Sequence, residues 1–220
     1  GLPTSYLAFK ASVDSVLKDE TQFMGVAAKN HDGYLGRISR TYLSAANGKG
    51  NNADFHNVIN GYHFIGISAS KTEGEHYSEY QREWLKAELS QAAADGKPAF
   101  VINHNMIYNK NGAASKKSNN ATSNNDALNN ALVSCGTDVV YICGHAHRGI
   151  TKDSVNTEGR VTYVNLPSAG CSNSGAEGIY NAKMNGCVME VYDDSIVLRF
   201  RSFDTNQWIE GYDNIVIPIG

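Results

Sequence analysis

The sequence predicts an α/β domain. Short apolar runs typical of buried strands alternate with longer stretches whose apolar residues recur at helical spacing, and the pattern beyond Arg160 is rich in strands. No internal repeat interrupts this order. The 220 residues suffice for one α/β domain with a well-buried core, and no shift of composition marks a second one. Residues 1–220 are therefore interpreted as a single domain.

Helical periodicity and turn residues predict the elements of the first half. Pro3 suits a helix start, and Asn60-Gly61 between apolar segments is a strong hairpin signal. The predicted elements are a helix at 4–18, a strand at 22–28, a hairpin of 58–59 with 62–67, and a helix at 77–94. The last of these carries the strongest amphipathic pattern in the chain.

The second half is predicted in the same way. A loop rich in Asn, Ser and Lys, with few apolar residues, separates two apolar strands. The predicted elements are a strand at 99–103, a loop at 105–125, a short helix at 126–133, a strand at 138–143, and strands at 161–166, 187–192, 196–203 and 215–219.

Composition excludes several classes of function. The net charge is -3, and Lys and Arg are spread along the chain, so no basic stripe for nucleic acid is expected. No run approaches the ~18 apolar residues of a membrane span. The four cysteines lack C-x-x-C spacing, which argues against structural zinc and leaves buried thiols or two disulfides as alternatives. We expect a secreted or cell-envelope location, with the cytoplasm as the alternative.

Polar residues of metal-binding type follow three of the predicted strands. Asn30-His31-Asp32 follows the predicted strand at 22–28, and His104 follows the one at 99–103. Gly144-His145-Ala146-His147 follows the strand at 138–143. The carboxyl ends of strands in an α/β sheet are where ligands bind, and neutral imidazole is the commonest protein metal ligand. The sequence therefore predicts a metal site at this edge.

In order and spacing, these motifs resemble the last three of the five motifs of the calcineurin-like metallophosphoesterases. The resemblance covers residues 22–170. It implies a four-layer α/β/β/α sandwich of two mixed sheets. The first two motifs, Asp-x-His and Gly-Asp-x-x-Asp/Asn, are absent, so we expect the N-terminal strand or strands to be lacking here. An upstream segment of the same protein is expected to carry them.

The resemblance also implies a chemistry. One metal ion would be bound by Asn30, His104 and His145, and the other by His147. Two ions, of Mn, Fe or Zn, would activate a bridging hydroxide that hydrolyses phosphate monoesters or diesters in the full-length protein. The substrate would be a small phosphorylated molecule.

Other residues are given auxiliary roles. By the same resemblance, His31 would stand beside the leaving-group oxygen with Asp32 orienting its ring. Tyr108 and Lys110, on the loop after His104, are candidates for binding substrate phosphate. His63, inside a strand, is expected to be structural or solvated.

Three alternatives stay open. Asp54-Phe55-His56 matches Asp-x-His as a string, but it follows a polar stretch instead of an apolar strand and is interpreted as a chance match. The chain could be a non-catalytic binding module that keeps the fold but lacks the first metal site. It could also be a metallohydrolase for substrates other than phosphate esters.

Overall fold

The computed structural model of the chain describes residues 3–18, 23–26, 54–68, 77–112, 121–122, 126–169 and 184–220. The helices in these ranges are α1 (Pro3–Asp14), α2 (Glu79–Ala94) and α3 (Asp126–Ser134). The strands are β1 (Phe55–Ile59), β2 (Tyr62–Gly66), β3 (Ala99–Ile102), β4 (Met106–Ile107), β5 (Ala121–Thr122), β6 (Val139–Cys143), β7 (Val155–Glu158), β8 (Val161–Asn165), β9 (Asn185–Val191), β10 (Ser195–Ser202), β11 (Gln207–Trp208) and β12 (Ile215–Pro218). No helix in this part of the chain is both long and apolar enough to span a membrane.

The first sheet has six strands in the order β1-β2-β3-β6-β8-β7. Its four inner strands run parallel, and an antiparallel strand lies at each edge. The register places Ile65, Val101, Tyr141 and Tyr163 in one buried row across these inner strands. Consequently the carboxyl ends of β3, β6 and β8 lie side by side at one edge of the sheet.

The second sheet has β10 at its centre. β9 pairs antiparallel along one side of β10, while β12 and β11 pair antiparallel along the other. A separate parallel pair, β4 with β5, lies within the segment predicted as a loop. Alternate residues of β10, namely Ile196, Leu198 and Phe200, are buried toward the first sheet, as period-2 alternation requires.

Two hydrophobic cores hold the layers together. One lies between the first sheet and the helices, and it contains Leu85 and Leu89 of α2 and Leu128 and Leu132 of α3. The other lies between the two sheets, where Phe100 of β3 meets the inward side of β10. Each fully buried Leu or Phe contributes about 1.5–3 kcal/mol of hydrophobic stabilisation. The predicted α/β class with two sheets is confirmed. Helices α2 and α3 cover one face of the first sheet, and the second sheet packs on the other face.

Local sequence signals account for the hairpin and for α2. Asn60 and Gly61 have φ angles of 52° and 83°, the left-handed pair that a two-residue hairpin turn requires. Helix α2 begins after Ser78, whose side chain accepts a hydrogen bond from the Gln81 backbone N–H, while the Gln81 side chain accepts one from the Ser78 N–H. This capping box sets the first helical residue at Glu79 rather than at the predicted Tyr77.

Two predictions near the N-terminus differ from the structure. Helix α1 ends at Asp14, short of the predicted Lys18, and Leu7 and Phe9 on it are 51% and 52% exposed. Residues 23–26 of the predicted strand at 22–28 are described, and they do not form a strand. A strand exists only when a neighbour accepts its hydrogen bonds, and no described strand pairs with this segment.

Candidate metal centre

The candidate centre lies where β3, β6 and β8 end. Backbone hydrogen bonds continue past the strands there: the N–H of Asn103 donates to the carbonyl of Ile142 at 2.9 Å, and the N–H of Gly144 donates to the carbonyl of His104 at 3.1 Å. On the next strand, the N–H of Leu166 donates to the carbonyl of Cys143 at 2.7 Å. The segments that carry the histidines are thus fastened to one another and to the sheet.

His104 and His145 are brought into direct contact by this arrangement. Nε2 of His104 lies 2.9 Å from Nδ1 of His145, and the two rings are 4.9 Å apart between centroids, in an edge-to-face arrangement at 75°. Both side chains are half-buried. Two residues 41 positions apart in the chain therefore direct imidazole nitrogens at one point in space.

The Gly-His-Ala-His turn has an unusual backbone. His145 and His147 have φ angles of 71° and 50°, in the left-handed region, and Ala146 between them is 1% exposed in the helix-side core. A non-glycine residue in this region costs about 1–2 kcal/mol, and such strain concentrates at functional sites. Burial of Ala146 anchors the turn and holds both histidines at its half-buried surface.

The donor set partly fits a metal ion. Imidazole nitrogens suit Zn, Fe and other first-row ions, and bond lengths of about 2.0–2.1 Å to zinc would let one ion contact two nitrogens at this separation. Within the described ranges, no group of three or more His, Cys, Asp and Glu side chains is arranged to hold a metal ion. Three of the predicted site residues, Asn30, His31 and Asp32, lie outside the described residues. His147 does not complete a three-member group with the histidines that are described.

A buried polar clamp lies behind His104. The hydroxyl of Tyr77 donates to Oδ1 of Asn103 at 2.8 Å, and Nδ2 of Asn105 donates to the Tyr77 oxygen at 3.2 Å. Tyr141 donates from its hydroxyl to the carbonyl of Asn105 at 2.7 Å. Burial raises the pKa of Tyr77 to about 12 and that of Tyr141 well above its ordinary value, so both stay protonated donors at neutral pH.

Sequence reasoning missed this clamp. The sequence pattern places Tyr77 only at the start of the predicted helix at 77–94 and Asn105 only at the start of the predicted loop at 105–125. The signal was the run Asn103-His104-Asn105, because two amides around one histidine at a strand end need buried partners. Those partners are Tyr77, which precedes α2, and Tyr141 of β6.

The two residues proposed for phosphate binding differ in their surroundings, since Tyr108 is exposed and Lys110 is held by other side chains. Tyr108 is 51% exposed. Lys110 forms an ion pair with Glu158, and its ammonium group lies 5.4 Å from the centre of the Tyr163 ring. Nδ2 of Asn156 also donates to the Lys110 carbonyl at 2.8 Å. Lys110 is thus held against the β7–β8 hairpin.

The Asp54-Phe55-His56 string has a structural explanation. Asp54 accepts hydrogen bonds from the Ser68 backbone N–H at 2.8 Å and from Nε2 of Gln81 at 2.9 Å. His56 contacts Glu88 of α2. The string therefore fastens the hairpin to α2.

The described cysteines are thiols. Cys135, Cys143 and Cys187 are free, while Cys171 lies outside the described residues. Burial raises the pKa of Cys143 far above its ordinary value, so this thiol stays protonated beside the candidate centre. Of the described cysteines, Cys143 is buried, whereas Cys135 and Cys187 are partly buried.

Comparison with solved structures identifies the class of fold. No protein-family model and no curated protein sequence matches the chain. The fold is similar to that of a dimetal phosphatase from Danio rerio, with a TM-score of 0.55 and 14% identity over 76% of this chain and 61% of that one. It is also similar to GAP50, the anchor in the inner membrane complex of Plasmodium, with a TM-score of 0.52 and 20% identity over 76% of this chain and 53% of that one.

These likenesses show that the chain has an α/β fold similar to that of the two structures. The chain spans 61% and 53% of the lengths of the two structures. Because both identities are low, the similarity concerns the fold, and the chemistry of the site is argued from its own residues.

Proposed function

We propose that this chain is a metal-binding part of a metallophosphoesterase. The whole protein would hydrolyse phosphate monoesters or diesters. The observation that carries the proposal is the convergence of His104 and His145, whose ring nitrogens lie 2.9 Å apart at the carboxyl edge of the sheet. The phosphatase-type fold and the left-handed backbone of His145 and His147 support it.

The residues have distinct roles in this proposal. His104 and His145 hold one metal ion together with Asn30, and His147 contributes to a second. The metal ions, of Mn, Fe or Zn, would lower the pKa of a water and polarise the phosphoryl group. The remaining ligands are proposed to come from a further segment of the same protein.

Other side chains support the ligands or contact the substrate in this proposal. The Tyr77 hydroxyl holds the side chains of Asn103 and Asn105 on both sides of His104, and such support of the segment that carries a ligand is expected to strengthen metal binding. His31, oriented by Asp32, is proposed to stabilise the leaving group. Tyr108 and Lys110 are proposed to contact the phosphate, which for Lys110 requires release from Glu158.

A non-catalytic binding module is the second candidate. One of the two similar structures is described as an anchor, which is a binding role for that protein.

Metal titration of the purified chain tests the proposal. Mn and Zn are added separately after exhaustive desalting, and bound metal is counted by elemental analysis. We expect the chain to bind metal and both His104→Ala and His145→Ala to lose this binding. The double variant should bind metal no more weakly than either single variant, because one ion needs both imidazoles. His56→Gln, which removes an imidazole from the hairpin, serves as the matched control and should bind normally.

Two results would count against the proposal. Equal binding by the chain and by both site variants would remove these histidines from the site, and no binding by the chain would favour the module. Hydrolysis of p-nitrophenyl phosphate and of bis(p-nitrophenyl) phosphate by the longer protein then separates monoesterase from diesterase activity.

A further inference from the structure

One edge of the second sheet has no neighbour among the described strands. Strand β9 pairs with β10 along one side only. The N–H of Tyr192 donates to the carbonyl of Ser195 at 2.8 Å, and in an antiparallel pair the groups of every second residue point toward the partner strand. The backbone N–H and C=O groups of Cys187, Met189 and Val191 therefore point away from β10. These groups are here called the β9 edge.

The β9 edge extends from the candidate metal centre toward β2. At the start of β9, the N–H of Asn185 donates to the Ser168 carbonyl at 3.4 Å, and the N–H of Ser168 donates to the Arg148 carbonyl at 2.9 Å. Beyond its end, the hydroxyl of Tyr62 on β2 donates to the carbonyl of Tyr192 at 3.4 Å. The edge thus begins beside the Gly-His-Ala-His turn and ends over the first sheet at β2.

The unpaired side of β9 faces the β1 side of the first sheet. On the other side of β10, β12 leads to Gly220, whose N–H donates to Oδ2 of Asp138 at 2.8 Å, directly before β6. Passing from β9 to β12 in the second sheet therefore corresponds to passing from β2 to β6 in the first. A further strand beside β9 would lie over β2 and β1.

Apolar side chains along this side are incompletely covered. Cys187, Met189 and Val191 face the space between the sheets and are only partly buried, whereas their partners on β10 are buried. Phe64 of β2 faces the same space and is also partly buried, although the next residue, Ile65, is fully buried on the helix side. The core between the sheets therefore ends at β9 with apolar surface that an added strand would cover.

The sequence of β9 contains none of the features that prevent strand addition. Such features are Lys or Pro residues, bulges and very short strands. β9 has seven residues in continuous register with β10, and its one charged residue, Glu190, is paired with Arg199 at 3.1 Å. At the opposite side of the sheet, β12 has four residues and includes Pro218, which has no N–H. Of these two strands, β9 is the one suited to accept a neighbour.

We propose that a strand from the further segment of the same protein adds to the β9 edge and extends the second sheet over β2. This inference rests on the proposed function, which requires that segment. It is in keeping with the lengths of the two similar structures, of which the chain spans 61% and 53%. The added strand carries apolar residues at alternate positions, facing Phe64 and Met189, and no Pro where it must donate to β9.

A second copy of the chain fits the β9 edge poorly. If the β9 strands of two copies paired around a two-fold axis, the first sheets of both copies would lie on the same side of the joined sheet. The β1–β2 hairpin extends past β9 in each copy. The two hairpins would therefore occupy the same space, whereas a single added strand meets no such conflict.

Amide hydrogen exchange of the 220-residue chain and of the longer protein tests the proposal. In the chain, the N–H groups of Cys187, Met189 and Val191 should exchange on the order of a hundredfold faster than those of Val188 and Glu190, which point toward β10. In the longer protein all five should be protected. Equal exchange of the first three groups in the two proteins would overturn the proposal. Protection in the chain that is lost on dilution would also overturn it, because it would indicate pairing with a second copy.

Met189→Pro and Met189→Ala form a matched pair of variants. Both remove the side chain, but only proline removes the N–H that faces the added strand. In the longer protein, the Cys187 and Val191 N–H groups should stay protected in Met189→Ala and should exchange on the order of a hundredfold faster in Met189→Pro. Protection of Val188 and Glu190 shows that β9 still pairs with β10 in both variants. Unchanged protection of Cys187 and Val191 in Met189→Pro would contradict strand addition.

Metal titration of the longer protein separates this inference from the proposed function. Protection of the β9 edge in a longer protein that binds no metal would support the added strand and remove the phosphoesterase. Metal binding without that protection would support the phosphoesterase and overturn the added strand.

Discussion

Phe55 lies directly opposite Gly66 across the β1–β2 hairpin, and its ring fills the space where a side chain at position 66 would begin. Phe55 is 2% exposed, so its ring has no room to turn away. The glycine is therefore required by close packing instead of by a special backbone angle.

Gly66→Ala should destabilise the protein by about 1–3 kcal/mol, because the new Cβ would overlap the buried ring. Urea unfolding followed by circular dichroism measures the loss. Gly144→Ala is the matched control, since no described atom beyond its chain neighbours lies within 4 Å of the Cβ position there. Equal stability of the two variants would contradict the packing argument.

Tyr77→Phe should weaken metal binding by on the order of tenfold, because the segment around His104 loses the hydroxyl that fixes it. The loss of stability should be about 1 kcal/mol. Tyr80→Phe, at a 78% exposed position on α2, is the control. Calorimetric titration with Mn or Zn makes the measurement, and unchanged affinity in Tyr77→Phe would remove the clamp from the site.

Alkaline pH should unfold the protein through its buried tyrosines. Burial raises the pKa of Tyr77 to about 12 in the folded state, whereas unfolded tyrosine ionises near pH ~10. The stabilising contribution is complete below pH ~10 and is lost as pH rises toward about 12. Urea unfolding from about pH 9 upward should show this fall, with a shallower slope in Tyr77→Phe. Identical slopes in the unaltered protein and in Tyr77→Phe would contradict the role given to Tyr77.

His145→Gly and His145→Ala should separate backbone strain from ligand loss. Both variants remove the imidazole and should bind metal equally poorly. Because φ at this position is 71°, the Gly variant should be more stable than the Ala variant by about 1 kcal/mol. Thermal unfolding compares them, and greater stability of the Ala variant would mean that the turn is not strained.

Much of the fold follows from local signals in the sequence. The Asn60-Gly61 turn fixes the hairpin, and the capping box at Ser78 and Gln81 starts α2. The apolar strands are recognisable because parallel strands covered on both faces need continuous hydrophobic runs. The strand predicted at 22–28 is not formed at its described residues 23–26, because strand formation depends on a partner distant in sequence.

The site was only partly predictable for a related reason. The strand-end rule brings His104 near His145, but the direction of each ring depends on packing and on the left-handed turn. The contact between His56 and His63 follows from local sequence, because a two-residue turn at Asn60-Gly61 places them diagonally on one face.

The parallel pairing of β3 with β6 has a kinetic consequence. His104 and His145 are 41 positions apart, and they meet only after the crossover that contains α3 has closed. Contacts of such separation form late, because loop closure must precede them. A metal ion held by this pair would bind a chain that has already folded. It would slow unfolding and leave the folding rate nearly unchanged.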